Sequence, residues 1–183
     1  MSAWSERVDL LRFVGDSFAF KPTDVAVGAG QLVAVSEFPD AFNNSRYRFA
    51  DGYHVGLQVD VDTHQSRLLR FTWPRGNFAH PRAGIARDGT VHVLWHETAG
   101  VSIDDSTGGR GTPQLWTGIV REHEIVEPRL LLWGPDLNRP SRIIPDERGN
   151  LHAVVAQWVS SAGPLLMHLT MGRGATRIDT IPQ

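Results

Sequence analysis

The chain has 183 residues, a hydrophobic fraction of 41%, a formal net charge of -2 at pH 7 and no cysteine. This composition is typical of a soluble globular protein, and the lack of cysteine excludes disulfides, thiolate catalysis and cysteine-bound metal centres. The balanced charge offers no basic field for phosphate backbones, and no apolar run is long enough for a membrane helix. We therefore expect a cytoplasmic protein that binds neither nucleic acid nor a membrane.

Three similar stretches recur along the chain, each with a proline, an apolar segment, a glycine-containing turn and a second apolar segment. The prolines stand 59 residues apart, and the turn glycines stand 59 and 60 residues apart. They are Pro22, Pro81 and Pro140, followed by Gly30, Gly89 and Gly149. A fixed period of this length indicates a repeat architecture in which each repeat is one structural unit.

Each repeat continues into a third apolar stretch, such as residues 115–119, and then into a closing segment. An Arg-Leu-Leu core marks this segment at 67–71 and 129–133, and a related Asp-Leu-Leu segment stands at 9–13. The β-branched and aromatic residues, separated by Asp-Gly and Gly-Asn turns, favour strands over helices. The sequence therefore predicts three four-stranded β-units.

Repeated four-stranded units predict a β-propeller, in which the first strand of each blade lines a central channel and the others step outward. We expect a single domain over 1–183, with an N-terminal outer strand at 1–21 and blades at 22–80, 81–139 and 140–183. Three blades cannot close a ring, because propellers typically have about four to eight. The simplest closed form is a two-fold homodimer, and the alternative is a piece of a longer propeller.

The second repeat carries a family resemblance. From Pro81 to Trp95 it has a proline, an apolar strand, Asp-Gly, and an apolar strand with histidine that ends in tryptophan. This order resembles the blades of sialidase-like, or BNR-type, propellers, although the strict aspartate box of that family is not present. The resemblance implies a propeller fold and raises a sialidase-like activity as one possibility.

The starts of the first strands and the ends of the second strands meet on one face of a propeller, where ligands commonly bind. The residues that reach this face are Lys21, His80, Arg82, Arg139 and Arg142 from first strands and Glu37, His96, Glu97 and Gln157 from second strands. A guanidinium forms paired hydrogen bonds with a carboxylate. Arg82 and Arg142, with Arg139 beside them, therefore predict a site for an anionic small molecule.

Glu97 is the predicted general acid or base, because a partly apolar pocket beside Trp95 would raise its pKa. His80 and His96 are the other predicted catalytic residues. Further predicted substrate-binding residues are Glu37, Trp158 and Tyr53. Two alternatives stay open: Glu97 as a solvated strand end, and the arginines as salt-bridge partners between blades.

A metal site is not expected. His92, His96 and Glu97 have a spacing that binds zinc on a helix, but on a strand residues four apart are separated by about 13 Å. Asp104-Asp105 alone is a weak calcium signal. No nucleotide-binding or dinucleotide-binding motif occurs, so we expect no cofactor. His92 and His152 occupy equivalent repeat positions, and we expect both to be structural hydrogen-bonding groups.

Two classes of function follow from these features. The first is cofactor-independent acid-base catalysis on a small carboxylate- or carbonyl-bearing molecule, as a lyase, cyclase or condensing enzyme. A homodimeric subunit of this size with a working glutamate is similar to microbial Pictet-Spengler enzymes of secondary metabolism. The alternative is a lectin-like glycan-binding propeller or a sialidase-like glycoside hydrolase. The divergence between repeats favours one asymmetric site over several equivalent ones.

Overall fold

The computed structural model describes residues 22–37, 48–49, 52–72, 78–99, 112–159, 163–172 and 175–182. Every regular element in these ranges is a β-strand, which confirms the predicted all-β class. The N-terminal strand predicted within 1–21 lies outside the described residues. No helix in the described part of the chain is long and apolar enough to cross a membrane.

The first unit is an antiparallel sheet with the strand order β1-β2-β4-β5. Its strands are β1 (Pro22–Gly28), β2 (Gln31–Ser36), β4 (Gly52–Asp60) and β5 (Ser66–Phe71), and a short β3 (Arg48–Phe49) pairs with β4. Ala29 and Gly30 form the tight turn between β1 and β2, both with positive φ, 47° and 72°. Such a two-residue turn matches the twist of the strands it joins.

The second and third units repeat this meander. The second contains β6 (Ala79–Ile85), β7 (Val91–Ala99), β8 (Thr112–Arg121) and β9 (Glu124–Trp133). The third contains β10 (Ile144–Pro145), β11 (Leu151–Val159), β12 (Gly163–Gly172) and β13 (Ala175–Ile181). Within each unit, successive strands pair antiparallel.

The outer strands of the first two units meet. β5 and β9 pair in parallel through Arg70 with Glu124 and Phe71 with Ile125, which merges both units into a nine-stranded sheet. The first strands of these units, β1 and β6, also pack against each other. The third unit forms a sheet of its own.

The core consists of two apolar layers, one on each side of the second unit. Val93 and Trp95 face the first unit, whereas Leu94, between them on β7, faces Leu151 and Leu169 of the third unit. This alternation is the two-residue period of a strand. Because both faces of the second unit are covered, β7 is buried from residue 91 to residue 97.

Candidate functional site

A polar cluster lies at the start of β6, next to the ends of β2 and β7. Glu37, directly after β2, and His80, in β6, are in contact: Oε1 of Glu37 lies 2.5 Å from Nδ1 of His80. The His80 ring in turn lies 6.1 Å from the ring of His96, centroid to centroid, in an edge-on arrangement. The structure therefore brings together one predicted substrate-binding residue and two predicted catalytic residues.

The position of His80 depends on an irregularity in β6. The pairing of β6 with β7 shifts register between Ala79 and Arg82, and His80 has a φ of 50°. A non-glycine residue in this left-handed region is uncommon and strained. Pro81 follows and has no N–H to donate to the ladder, which suits a bulge. The bulge sets the direction of the His80 side chain next to Glu37.

His96 is nearly buried, with 8% of its surface exposed. Burial lowers the pKa of His96 from its ordinary value of 6.5 to about 4. Arg139, and His80 when it is protonated, act in the same direction, and a hydrogen bond with the backbone of Asn138 acts against them. The ring is therefore neutral at pH 7. Its Nε2 atom is buried and has no hydrogen-bond partner among the described residues.

Glu97 is 4% exposed, so the structure does not place it at a solvated strand end. Neighbouring residues on a strand point to opposite faces. In the regular ladder of β7 with β8, His96 and Glu97 therefore face different sides of the sheet. Of the two, only His96 lies beside His80.

The three predicted arginines have different surroundings. Arg82 is half-buried, its Nη1 donates to the carbonyl of Pro81 at 3.1 Å, and its buried Nε has no partner among the described residues. Arg139 is exposed and lies near enough to affect the pKa of His96. Arg142 is 86% exposed and its Nε lies 3.9 Å from Asp24. The contact of Arg142 with Asp24 is an ion pair between units, as the structural alternative predicted.

Asp24 is a residue that sequence reasoning missed. It is 7% exposed, and its Oδ2 accepts a hydrogen bond from the backbone N–H of Ala83 at 3.2 Å, which links β1 to β6. The signal that could have identified it is an aspartate two residues after the first repeat proline. The other repeats have Ala83 and Arg142 at this point.

Trp158 and Tyr53 are not shown in this cluster. Trp158 is 52% exposed near the end of β11, on the face of the third unit that points away from the second. The backbone of Tyr53 belongs to β4, but its side chain lies outside the described residues.

Two histidines of the repeat have different roles. His152 Nε2 lies 3.0 Å from Asp146 and its Nδ1 lies 2.9 Å from His168, whose ring stacks on it at 5.0 Å. His92 makes no hydrogen bond to another described side chain and borders a groove between the second and third units. His152 thus has the predicted hydrogen bonds, whereas His92 does not.

No group of three histidine, cysteine or acidic side chains in the described ranges is arranged to hold a metal ion. Asp104-Asp105 lies outside those ranges.

The Glu37–His80 pair can hold and move a proton. When the Glu37 carboxylate accepts a hydrogen bond from Nδ1–H of His80, the Nε2 atom keeps a lone pair that can take a proton.

The comparisons identify a fold but no family. The scan against protein-family models and the search of curated proteins both find no match. Among solved structures the chain is similar to the Hadza microbial sialidase Hz136, with a TM-score of 0.57, 12% identity and 87% of this chain covered. The chain spans only 37% of the length of that protein. At this identity the similarity shows a sialidase-like fold alone. It does not support the resemblance to Pictet-Spengler enzymes.

Proposed function

We propose that the protein carries out cofactor-independent acid-base chemistry on a small carboxylate-bearing molecule, with His80 as the base. The observation that carries this proposal is the 2.5 Å contact between Glu37 and His80 beside the neutral ring of His96. In this proposal Glu37 is the carboxylate that works with a histidine, because Glu37 contacts His80, whereas Glu97 lies on the other side of the sheet from His96.

The contact favours one arrangement of the protons. If Nδ1 of His80 donates to the carboxylate of Glu37, then Nε2 keeps its lone pair and can take a proton from a substrate. The imidazolium that forms is stabilised by the adjacent negative charge, as in the histidine-carboxylate pairs of hydrolases. The His80 side chain is 25% exposed, so a ligand can reach it.

Two arginines would orient the substrate. Arg139 and Arg142 are exposed near the same strand ends, and guanidinium groups form paired hydrogen bonds with carboxylates. The Nε atom of Arg142 lies 3.9 Å from Asp24, which is long for an ion pair. A ligand carboxylate can therefore compete with Asp24 for Arg142. The neutral His96 ring beside them adds no competing positive charge.

We propose further that the three units are the blades of a half-propeller that closes with a second copy of the chain. Leu94 and Val154 stand at equivalent points of β7 and β11. Leu94 is fully buried under the third unit, whereas Val154 is 37% exposed on a face that also holds Ile144 and Trp158. At the other end, Val25 and Val27 of β1 are 49% and 67% exposed. If the third unit of one copy packed on the first unit of another copy as the second unit packs on the third, the face around Val154 would be covered by the face around Val25 and Val27.

A sialidase-like glycoside hydrolase is the second candidate, and the fold comparison favours it. An acidic sugar would present its carboxylate to the arginines, and His80, paired with Glu37, would take a proton from the attacking water and return it to the leaving oxygen. A Pictet-Spengler condensation and a lectin-like role have no support from the comparisons and stay predictions.

The test has two parts. In the first, NMR follows the ring signals of His80 and His96 while N-acetylneuraminic acid, or its methyl ester, is added. We expect shifts with the free acid and weaker ones with the ester. Equal shifts with both compounds, or none with either, would contradict a carboxylate site.

In the second part, fluorogenic glycosides with acidic and neutral sugars are assayed for hydrolysis, and aldehyde-amine pairs for condensation. Any turnover found should fall at least about a hundredfold in H80Q and E37Q, as expected for a general base. The control R177Q changes an exposed arginine of β13 and should keep full activity. Full activity in H80Q would exclude His80 as the base.

A further inference from the structure

A second polar site lies at the opposite end of the sheets. A groove of about 1050 Å³ opens between the second and third units, bordered by His92 and Thr117 on one side and Gly172 and Thr176 on the other. His92 stands near the start of β7, whereas the His80 cluster is at the end of that strand. The groove therefore does not belong to the candidate site described above.

The groove is lined by more cationic than anionic side chains. Among the described residues, four arginines and two acidic residues line it: Arg87, Arg121, Arg129, Arg148, Asp88 and Glu127. Arg121 is paired with Glu127 at 2.8 Å, and Arg87 donates to the carbonyl of Glu147 at 3.3 Å. The guanidinium groups of Arg129 and Arg148 make no hydrogen bond or ion pair with another described residue. Two cations thus remain available to a ligand.

His92 also has unused hydrogen-bonding capacity. It is 9% exposed, it borders the groove, and its ring makes no hydrogen bond with another described residue. Neither ring nitrogen is among the fully buried atoms that lack a partner, so the ring is accessible from the groove and a ligand there can hydrogen-bond to it. Burial lowers the pKa of His92, so its ring is neutral and offers one donor and one acceptor.

The corresponding space between the first and second units is filled by the protein's own side chains. Gln58 bridges Gln31 at 2.6 Å and His123 at 3.3 Å, and Gln31 donates to the carbonyl of Gly89 at 3.2 Å. Arg67 completes this network by contacting His123. The pairing of β5 with β9 closes the outer edge.

Among the described residues of the second and third units, no such side-chain network fills the groove. In the first unit, Gln58 of β4 pairs with Val33 of β2. In the second unit, the corresponding pair is Ile119 of β8 with His92 of β7, so an isoleucine replaces the bridging glutamine. An isoleucine cannot bridge polar neighbours. In the described residues β9 also has no pairing to β13, so the outer edge stays open. The polar groups at the junction of the first and second units therefore bind one another. The junction of the second and third units instead leaves an open groove with polar and cationic side chains.

We propose that this groove binds a small polyanion, a molecule with two or more carboxylate, phosphate or sulfate groups, through Arg129, Arg148 and His92. Multiple acid groups are required because the free cations come from different units, Arg129 from β9 and Arg148 from the turn before β11. Nucleic acid is disfavoured, since no tryptophan, tyrosine or phenylalanine among the described residues borders the groove and the chain has a net charge of -2. Neutral sugars would leave the guanidinium groups without charged partners.

The test is calorimetric titration of the full chain with citrate, pyrophosphate and a sulfated disaccharide, with glucose as the uncharged control. We expect at least one polyanion to bind and glucose not to bind. R129Q and R148Q should each weaken binding roughly tenfold, since a charge-assisted hydrogen bond contributes about 1.5 to 3 kcal/mol. R177Q, on another surface, should bind as the parent does.

Absence of binding by all three polyanions would overturn the proposal, as would unchanged binding in an R129Q/R148Q double variant. H80Q should bind the polyanion normally. The groove and the His80 cluster can therefore fail separately, because each has its own variant and its own ligand.

Discussion

Gly84 in β6 and Ile143, just before β10, are in such close contact that a Cβ atom on Gly84 would lie 2.3 Å from Cγ2 of Ile143. The same Cβ would lie 3.2 Å from Leu151. The absence of a side chain at residue 84 is thus what allows the second and third units to approach. The candidate site spans this junction, since His96 comes from one unit and Asn138 precedes the other.

Replacing Gly84 with alanine should destabilise the fold. Ile143 is buried and cannot move aside without disturbing the core, and overpacking of this kind costs about 1 to 3 kcal/mol. Urea denaturation would measure the change in the free energy of unfolding. The matched control is Gly28→Ala, whose Cβ would meet Ile85 at an ordinary 3.4 Å. Equal stability of the two variants would refute the close packing.

The stability of the protein should fall as the pH decreases from about 6.5 to about 4. The pKa of His96 is about 4 in the folded state, below its ordinary 6.5, so the unfolded chain binds the proton first. Stability is therefore fully present above pH 6.5 and is lost as the pH falls towards the folded-state pKa. His92, whose pKa is also lowered, acts in the same direction.

Thermal melts between pH 7 and pH 4 would measure this loss. For His96 it is on the order of 3 kcal/mol, because each unit of pKa shift corresponds to about 1.4 kcal/mol. His96→Gln should flatten the profile relative to the parent. A variant profile as steep as the parent's would assign the pH dependence to other groups.

The all-β class and the polar cluster could be predicted because they depend on local signals. Turn residues and alternating apolar residues indicate strands, and the repeat brings His80 and Arg139, from the starts of first strands, to the same face as Glu37, from the end of a second strand. Neighbouring residues on a strand face opposite sides of the sheet, so the sequence already implies that His96 and Glu97 lie on different sides. The prediction that both belong to one pocket did not take this alternation into account. The Glu37–His80 contact depends on a bulge in β6 at which His80 has a positive φ. No local sequence pattern predicts such a bulge at a histidine.

Long-range pairing was also beyond sequence reasoning. Nothing local indicates that β5 would pair with β9 in parallel, and that pairing decides which junction closes and which leaves a groove. Asp24 was missed because its importance comes from the backbone N–H of Ala83 in another unit, 59 residues away.

Asp24→Ala should be more destabilising than Arg142→Ala. The aspartate is buried and accepts the N–H of Ala83, so its removal leaves a buried donor unsatisfied at a cost of about 1 to 3 kcal/mol. Arg142 is mostly exposed, and an ion pair at 3.9 Å between an exposed arginine and an aspartate contributes at most about 1 kcal/mol. Chemical denaturation of both variants would check this order. If the arginine variant lost more stability, the ion pair would be the main link between the units.

Val154→Glu should abolish self-association if a second copy covers the outer face of the third unit. Val154 lies in the middle of β11 on that face, and an unpaired carboxylate buried against a partner is strongly unfavourable. Light scattering coupled to size-exclusion chromatography would show a dimer for the parent and a monomer for the variant. The control Val61→Glu makes the same substitution at a valine that is 42% exposed in the turn after β4, and it should stay dimeric. A monomeric parent, or a dimeric Val154→Glu variant, would mean that this face is covered by something other than a second copy, such as further blades of a longer chain.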